Sequence, residues 1–391
     1  MNVLIISHFF PPHKGGVETA AYYTAKNLMK LGHNVYVLTS FKKPKSPLNE
    51  KIEFKILRYK SYNLPEIKGF PQSSNFGLII KGILKLPKII KKYNIHIIHL
   101  EGRFFPISVI TAILNIIIFK RPIILTVQGR LSGGYTNYIE SMFDMIITRK
   151  IYSHLDKIIC VSKSLKGHML KIGIKNENLD VVYNGVDTNF FKRLKSTRFL
   201  SKMINIQNNV KKVIFVGRLD HQKGVEYLIR SIPIVLKQCE NVYFFILGNG
   251  NLEVELKILT RRLGVDSHIK FIDMIPLEKM PEFYSSADIF CLPSLYEGFP
   301  LSIAEALSVG LIIVASHTEG IPEAIIENIN GFLFEPKNVK QLSEKLIKAL
   351  NLDNEEIWKI SKTNQDLGKK KFSWDIIVKK IENLYIKSLN L

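Results

Sequence analysis

The sequence predicts an α/β protein built from two doubly wound, Rossmann-like domains. Its 391 residues are too many for one ordinary hydrophobic core, because single cores stop growing at about 250–300 residues. Short apolar runs alternate with longer segments of helical periodicity along the whole chain. Most of these runs are continuous and rich in β-branched residues, which is typical of parallel strands covered by helices on both faces.

Six apolar runs predict the strands of the first half, with helical patterns such as 17–31 and 164–172 between them. These strands are Val3–Ser7, Asn34–Thr39, Ile95–Leu100, Ile123–Val127, Lys157–Val161 and Leu179–Tyr183. The second half repeats the alternation with Val213–Val216, Val242–Leu247, Ile269–Ile272, Ile289–Leu292 and Leu311–Ala315. We therefore expect one Rossmann-like sheet in each half. The boundary is predicted within residues 188–211, a polar stretch rich in Lys and Asn.

The chain carries a net charge of +21, from 55 Lys and Arg against 34 Asp and Glu. Residues 1–190 hold 27 basic and 11 acidic residues (+16), and residues 191–391 hold 28 and 23 (+5). Nucleic acid, an anionic membrane surface and phosphorylated ligands are the candidate partners. Five lysines in 81–92 alternate with apolar residues, a pattern shared by membrane-docking helices and by sheet-packing helices with a solvated face.

The sequence also bears on the compartment. The three cysteines, Cys160, Cys239 and Cys291, are too far apart for a disulfide framework or a zinc site. The opening residues 1–7 have no basic region typical of a signal peptide. The longest apolar segment, Phe104–Phe119, is shorter than the ~20 residues that span a bilayer, and predicts a buried helix. We expect a cytoplasmic protein.

Two strand-end loops have the composition of an anion site. Gly15 and Gly16 come directly before a predicted helix, so that backbone N–H groups can approach a phosphate at its positive end. In the second half, Gly217-Arg218 ends a strand and Lys223-Gly224 opens a helix. The planar guanidinium and the ammonium point charge together suit a diphosphate.

Two carboxylates follow the strand Ile289–Leu292. Glu297 lies in the loop after it, and Glu305 lies about one turn inside the next predicted helix. Such carboxylates accept hydrogen bonds from sugar hydroxyls, and a carboxylate pair is also typical of glycoside hydrolases. Since a hydrolase has no use for a diphosphate clamp, the combination favours transfer from a nucleotide-diphosphate sugar.

Over nearly its whole length, the chain resembles the glycosyltransferases of family 4, which have the GT-B fold. Glu297 and Glu305 match the family's E-x7-E motif within the segment EGFPLSIAEAL. Further segments match in order: Gly15–Glu18, Asn184–Asp187, Gly217-Arg218 with Lys223-Gly224, Gly248–Gly250, Ile321–Glu323 and Asn330–Phe332. The resemblance implies two Rossmann-like domains facing a central cleft, with a C-terminal helix that returns to the first domain. It predicts an acceptor-binding domain of residues 1–190 plus 374–391, and a nucleotide-sugar-binding domain of residues 205–373.

The resemblance also implies a set of site residues. Arg218 and Lys223 would neutralise the diphosphate and Glu297 would contact the transferred sugar, so these three are the expected catalytic residues. The donor, a uridine or guanosine diphosphate sugar, would be held by Gly15, Gly16, Arg218, Lys223, Ile275, Glu297, Leu301, Ser302 and Glu305. Glu18 and Gln128 would lie on the acceptor side. The family retains the anomeric configuration and needs no metal or cofactor, and the sequence contains no Asp-x-Asp motif.

Three residues depart from the family pattern. Gln128 stands where a His is usual, and Asp273 and Glu319 stand where Gly is common. The resemblance predicts transfer of a sugar to a glycan or a lipid-linked acceptor in polysaccharide or glycolipid biosynthesis. The expected location is the inner face of the cell membrane, with an anionic membrane surface as a partner. A nucleotide-sugar 2-epimerase of the same fold is the alternative enzyme. A nucleic-acid-binding protein is a further alternative that only the charge favours, since no binding motif is recognisable.

Overall fold

The structure is a computed structural model that describes residues 1–13, 15–41, 53–63, 77–131, 135–195, 197–204 and 210–389. The chain forms two compact units. The first unit comprises Met1–Gly185 and Trp374–Leu391, and the second comprises Val186–Ser373. Residue 205, the predicted start of the second domain, lies outside the described residues.

The first unit is built on a parallel sheet of seven strands in the order β3-β2-β1-β6-β7-β8-β9, with a small antiparallel pair β4-β5. Its strands are β1 (Asn2–Ser7), β2 (Asn34–Ser40), β3 (Lys55–Tyr59), β4 (Tyr62–Asn63), β5 (Gly77–Leu78), β6 (Ile97–Glu101), β7 (Ile123–Val127), β8 (Lys157–Cys160) and β9 (Leu179–Val181). The helices before the second unit are α1 (Gly16–Lys30), α2 (Ile80–Lys92), α3 (Pro106–Leu114), α4 (Tyr135–Phe143) and α5 (Lys163–Ile172). Two π-helical segments, Asn115–Phe119 and Asp144–Thr148, continue α3 and α4.

The second unit contains a parallel sheet of six strands in the order β12-β11-β10-β13-β14-β15. Its strands are β10 (Lys211–Val216), β11 (Val242–Leu247), β12 (Ile269–Ile272), β13 (Ile289–Leu292), β14 (Ile312–Ser316) and β15 (Gly331–Phe334). The helices are α6 (Phe199–Ile204), α7 (Val225–Leu236), α8 (Glu253–Arg262), α9 (Met280–Ser285), α10 (Leu301–Val309), α11 (Val339–Leu350) and α12 (Asn354–Lys371). The two Rossmann-like parallel sheets confirm the predicted fold class.

The strands form where the sequence places continuous apolar runs. Every residue of β6, β7, β13 and β14 is buried, as expected for strands with helices on both faces. Local signals fix several helix ends. The Ser162 hydroxyl caps α5, accepting from the backbone N–H of Leu165 at 3.2 Å, and Asp353 and Glu356 form a capping box at the start of α12.

The final helix, α13 (Trp374–Ser388), belongs to the first unit. The Trp374 ring stacks on Tyr23 of α1, with 5.7 Å between the ring centroids. Further along, the Tyr385 hydroxyl lies 2.6 Å from Nδ1 of His99 in β6. The chain therefore ends by packing on the unit with which it began.

One prediction about the first unit is wrong. Phe104–Phe119 is not a buried helix throughout, because Ile117 and Ile118 in its π-helical end are 65% and 60% exposed. Burial in the core of the unit therefore does not explain why residues 117 and 118 are apolar.

Candidate active site

The candidate site in the second unit lies where the strand order reverses. Strand β10 is flanked by β11 and β13, and ligands bind outside the carboxyl ends of strands at such a switch point. The loop after β10 packs on the loop after β11, since the Leu219 N–H donates to the Asn249 carbonyl at 2.8 Å. It also packs on the loop after β13, since the Leu295 N–H donates to the Gln222 carbonyl at 2.8 Å. The predicted donor residues of these loops are thus held by backbone hydrogen bonds.

Lys223 is positioned by a tight turn. The Asp220 side chain accepts a hydrogen bond from the Lys223 N–H at 3.2 Å and caps the 3₁₀ turn His221–Lys223. Gly224 then turns the chain into α7 with a left-handed φ of 60°. A Cβ at position 224 would overlap the carbonyl oxygen of Pro293. Glycine is therefore required at this position both for its left-handed φ and for the lack of space. The turn that carries Lys223 therefore packs closely on the loop after β13, which contains Pro293.

Lys223 and Glu297 form an ion pair that is largely shielded from water. The Lys223 ammonium contacts Glu297 Oε1, and the Ser294 hydroxyl donates to the same oxygen at 2.8 Å. The Gly320 N–H holds the Glu297 backbone by donating to its carbonyl at 3.2 Å. A cation and a carboxylate from two different loops are therefore held together at the switch point.

Arg218 lies at the exposed edge of the same loops. Its Nη1 is 3.0 Å from Asp220 Oδ2, and its Nη2 donates to Gln222 Oε1 at 3.1 Å. Gln222 in turn donates to the Tyr296 carbonyl at 3.1 Å. These contacts orient a half-exposed guanidinium, which carries five N–H donors in a fixed plane.

Glu305 lies within the second turn of α10 and accepts a hydrogen bond from the buried Tyr284 hydroxyl at 2.6 Å. Burial raises the pKa of Glu305 to about 7, against the lowering effect of the Tyr284 hydrogen bond. The helix begins at Leu301 and Ser302, after Pro300, which offers no side-chain cap. The N–H groups of a first turn point along the helix axis at its positive end, where they bind phosphate or hydroxyl oxygens.

The remaining predicted residue of this unit, Ile275, is half-buried in the loop that follows β12. Asp273, in the same loop, is exposed. Glu319 adopts a left-handed φ of 43°, the conformation that favours the glycine common at this family position.

The first unit holds the other predicted residues. Gly15 and Gly16 come directly before and at the start of α1, and Glu18 lies in its first turn. The Glu18 carboxylate folds back over Gly15, where a Cβ would overlap it, and Oε1 lies 2.8 Å from Nδ1 of His13. This loop thus presents a buried carboxylate beside a histidine.

Gln128 lies directly after β7 in a chain of polar side chains. Its Nε2 donates to Glu101 Oε2 at 3.1 Å, and its Oε1 accepts from Asn184 Nδ2 at 3.0 Å. Burial raises the pKa of Glu101 to about 8 and lowers the pKa of the neighbouring His99 to about 3. Glu101 is not among the predicted site residues, although a carboxylate at the carboxyl end of a buried strand is a visible signal.

A second polar cluster of the first unit surrounds Arg103. The buried guanidinium contacts the carboxylates of Glu140 and Asp144, and His168 Nε2 lies 3.0 Å from Asp144 Oδ2. Glu140, Asp144 and His168 are the kinds of side chain that bind metals, and their ligand atoms lie close together. In this cluster, however, Arg103 already supplies the positive charge between the two carboxylates.

Two family models divide the chain between them. The model described as Glycosyltransferase Family 4 matches residues 14–190, and the model described as Glycosyl transferases group 1 matches residues 196–373. The chain belongs to glycosyltransferase family 4. Its two sheets are the two Rossmann-like domains of the GT-B fold, and the protein is a glycosyltransferase.

Several other proteins are similar to this family 4 chain over long stretches. An uncharacterized glycosyltransferase of Methanocaldococcus jannaschii is 31% identical over 263 residues, which are 66% of each protein. The GPI3 subunit of the phosphatidylinositol N-acetylglucosaminyltransferase of Saccharomyces cerevisiae is 24% identical over 385 residues, covering 98% of this chain and 82% of the relative. Among solved structures, HepE of Anabaena in complex with UDP and glucose has a TM-score of 0.80 at 20% identity, with 98% of both chains covered.

In the described part of this family 4 chain, no helix combines the length and the apolar character needed to cross a bilayer.

Proposed function

We propose that this glycosyltransferase transfers a sugar from a nucleotide-diphosphate donor, with retention of configuration and without a metal or cofactor. The observation that carries the proposal is the ion pair of Lys223 and Glu297 at the switch point of the second sheet. It combines a cation suited to a diphosphate with a carboxylate suited to sugar hydroxyls. The similarity in fold to HepE, solved with UDP and glucose, supports a uridine diphosphate sugar as the first donor to test.

On the donor side, each group has a distinct task. Arg218 and Lys223 neutralise the diphosphate, and the first-turn N–H groups of Leu301 and Ser302 add further hydrogen bonds. Glu297 accepts hydrogen bonds from the transferred sugar, and Glu305 accepts them from the ribose. Ile275 meets the base through its backbone.

The reaction requires one bond to break and one to form at the anomeric carbon. The bond from that carbon to the diphosphate oxygen breaks, and its electron pair stays on the leaving nucleotide diphosphate. The acceptor hydroxyl oxygen bonds to the same face of the carbon, and its proton passes to the departing phosphate oxygen. Arg218 and Lys223 stabilise the negative charge that develops on the leaving group, which lowers the barrier electrostatically.

The acceptor belongs to the first unit in this proposal. Glu18 and Gln128 provide polar contacts at the carboxyl ends of its strands, and residues 1–190 carry a charge of +16. We propose a glycan or lipid-linked acceptor, used at the inner face of an anionic cell membrane in polysaccharide or glycolipid biosynthesis. The basic excess supports this location because it is attracted to anionic lipids.

The test is incubation with a panel of uridine and guanosine diphosphate sugars, scoring release of the nucleotide diphosphate. Lys223→Ala and Glu305→Ala are expected to reduce release at least about 100-fold, because one preorganised electrostatic contact contributes roughly 10²–10³ in kcat. Lys345→Ala is the matched control, since Lys345 also pairs with a partly buried glutamate of the second unit, Glu327.

Turnover near that of the wild-type enzyme in Lys223→Ala or Glu305→Ala would contradict the proposal. An equal loss in Lys345→Ala would show that the effect is structural. Conversion of the sugar nucleotide to its 2-epimer without transfer would identify the alternative enzyme.

A further inference from the structure

The helix α4 and its π-helical continuation, residues 135–148, are inverted relative to an ordinary surface helix. Their two acidic residues, Glu140 and Asp144, are buried against Arg103. Five large apolar side chains are exposed instead: Tyr138 (70%), Met145 (58%), Ile146 (46%), Met142 (43%) and Ile139 (38%). We call these five residues the outer face of α4.

The spacing of the outer face shows that it is one continuous surface. Positions 138, 139, 142, 145 and 146 recur at helical intervals, so their side chains share one side of the helix. A single exposed apolar residue is ordinary on a soluble protein, whereas a contiguous apolar patch marks an interaction surface.

The buried charges hold the helix in this rotation. Arg103 contacts both carboxylates, and Asp144 Oδ1 also accepts from the Thr148 hydroxyl at 2.8 Å. Turning the helix to cover its apolar side would leave the buried Arg103 guanidinium without a counter-charge, which is strongly unfavourable. The apolar side is therefore fixed outward by the interior of the unit.

Basic residues follow the outer face and lie on the same side of the sheet. Arg149 and Lys150 follow the helix directly and are exposed. Strands β6, β7 and β8 are parallel neighbours, so right-handed crossovers place α3 and α4 on the same side of the sheet. The π-helical segment after α3 adds the exposed Ile117 and Ile118, and the exposed Lys120 and Arg121 follow it. The helix α2, which packs on α3, adds Lys81, Lys85, Lys88, Lys91 and Lys92.

This composition distinguishes a lipid surface from a protein partner. Lysine is depleted in protein–protein interfaces, whereas an apolar helix face bordered by Lys and Arg is typical of helices that lie in the headgroup region of a membrane. We propose that the outer face of α4 inserts shallowly into an anionic lipid bilayer, with the basic residues on the same side of the sheet attracted to the lipid headgroups. The inference rests on the proposed function in one respect, since that function places the acceptor at a membrane.

The experiment is co-sedimentation of the whole chain with vesicles of phosphatidylcholine, with and without phosphatidylglycerol. The wild-type chain is expected to bind the anionic vesicles at least about tenfold more strongly, because each surface cation contributes roughly 1 kcal/mol of attraction. In the double variant Met142→Glu/Ile146→Glu, binding to anionic vesicles should fall at least about tenfold, because two apolar side chains lose their burial in lipid.

The matched control is Val254→Glu/Ile258→Glu on α8 of the second unit. This pair has the same spacing and the same change of charge, and its side chains are also exposed (69% and 41%). It should bind vesicles nearly as the wild-type chain does. Thermal unfolding of both double variants checks that each remains folded.

Three results would overturn the inference: equal binding of the wild-type chain to both kinds of vesicle, wild-type binding by Met142→Glu/Ile146→Glu, or an equal loss in the α8 control. A dimer in solution that Met142→Glu/Ile146→Glu dissociates would identify the face as a contact between copies and would also overturn it. Failure of this inference can be told apart from failure of the proposed function by measuring nucleotide diphosphate release in solution. The outer face of α4 takes no part in donor chemistry, so loss of vesicle binding should leave that release unchanged.

Discussion

Glu101 is a buried carboxyl group whose environment favours its neutral form. Burial raises its pKa to about 8, and the Gln128 amide that donates to it opposes this shift only in part. Of the titratable groups that face it, His99 has its pKa lowered by burial to about 3, and Tyr385 has its pKa raised well above its usual value. Between about pH 4.5 and pH 8, Glu101 therefore becomes charged on unfolding. Below about pH 6.5, His99 also gains a proton on unfolding, and because His99 is unchanged in a Glu101 variant, comparison with the wild type isolates the contribution of Glu101.

The raised pKa of Glu101 determines how the stability of the folded protein changes with pH. A raised folded-state pKa gives stability that is present below the unfolded pKa and is lost as the pH rises through the folded one. Glu101→Gln keeps a neutral hydrogen-bonding side chain at this position, so its melting temperature relative to wild type should rise between about pH 5 and pH 8. We expect a change of at least about 2 °C, measured by circular dichroism.

Glu278→Gln is the control for this measurement, because Glu278 is exposed to water. Its difference from wild type should be the same at both pH values. A constant difference for Glu101→Gln as well would show that Glu101 titrates as an ordinary surface carboxyl group.

The Lys223–Glu297 pair should show strong energetic coupling. Its side chains are 14% and 7% exposed, and removing one partner leaves the other charge buried and uncompensated. We expect Lys223→Met and Glu297→Leu each to destabilise the second unit by about 3–5 kcal/mol. The double variant should cost less than the sum of the two, measured by denaturant unfolding as a double-mutant cycle.

The pair of Lys345 and Glu327 is the comparison, with side chains 28% and 34% exposed. Water screens this pair, so its coupling energy should be at most about 1 kcal/mol. Equal coupling in the two cycles would show that burial does not strengthen the Lys223–Glu297 pair.

At the scale of elements, the turn at Gly224 connects the donor loop to α7. Both Gly224 (φ 60°) and Gly264 (φ 64°) are left-handed, but only position 224 lacks space for a Cβ, because of the Pro293 carbonyl. Gly264→Ala should cost about 1–2 kcal/mol from the left-handed backbone alone. Gly224→Ala should cost clearly more and also reduce donor turnover by moving Lys223, measured by unfolding and by nucleotide diphosphate release. Equal losses of stability in Gly224→Ala and Gly264→Ala would contradict the close contact between position 224 and the Pro293 carbonyl.

The elements that could be predicted are those with continuous apolar runs. Four strands have the predicted bounds, because the residues within each strand carry the signal: Ile123–Val127, Val242–Leu247, Ile269–Ile272 and Ile289–Leu292. Edge strands β3 and β15 were missed. In β3, Lys55 and Arg58 interrupt the apolar run, and β15 is only four residues long and begins with glycine.

The sequence predicts which residues of the candidate site lie at strand and helix ends, but not which of their side chains contact each other. The motifs place Arg218, Lys223, Glu297 and Glu305 at strand and helix ends because such ends have local signatures. The pairing of Lys223 with Glu297 joins residues 74 positions apart, and the burial of Glu101 depends on packing from several elements. These features arise from tertiary structure, which local patterns do not encode.

At the scale of the whole molecule, the chain builds the first unit, then the second, and returns to the first through α13. The returning helix buries Trp374, Ile377, Ile381 and Tyr385 within the first unit. The two tryptophans of the sequence are divided between the units, with Trp374 buried in the first and Trp358 exposed in the second. In a Trp358→Phe background, tryptophan fluorescence therefore reports on the first unit alone.

This division allows the contribution of α13 to be measured. In that background, Ile377→Ala removes a buried side chain of the first unit and should lower its unfolding free energy by about 2–5 kcal/mol, seen as an earlier transition in Trp374 fluorescence. Ile360→Ala, the matched control, removes a buried isoleucine of α12 in the second unit and should leave that transition unchanged. If both substitutions shifted the Trp374 transition equally, the chain would unfold as one cooperative body and the stability of α13 could not be assigned to the first unit.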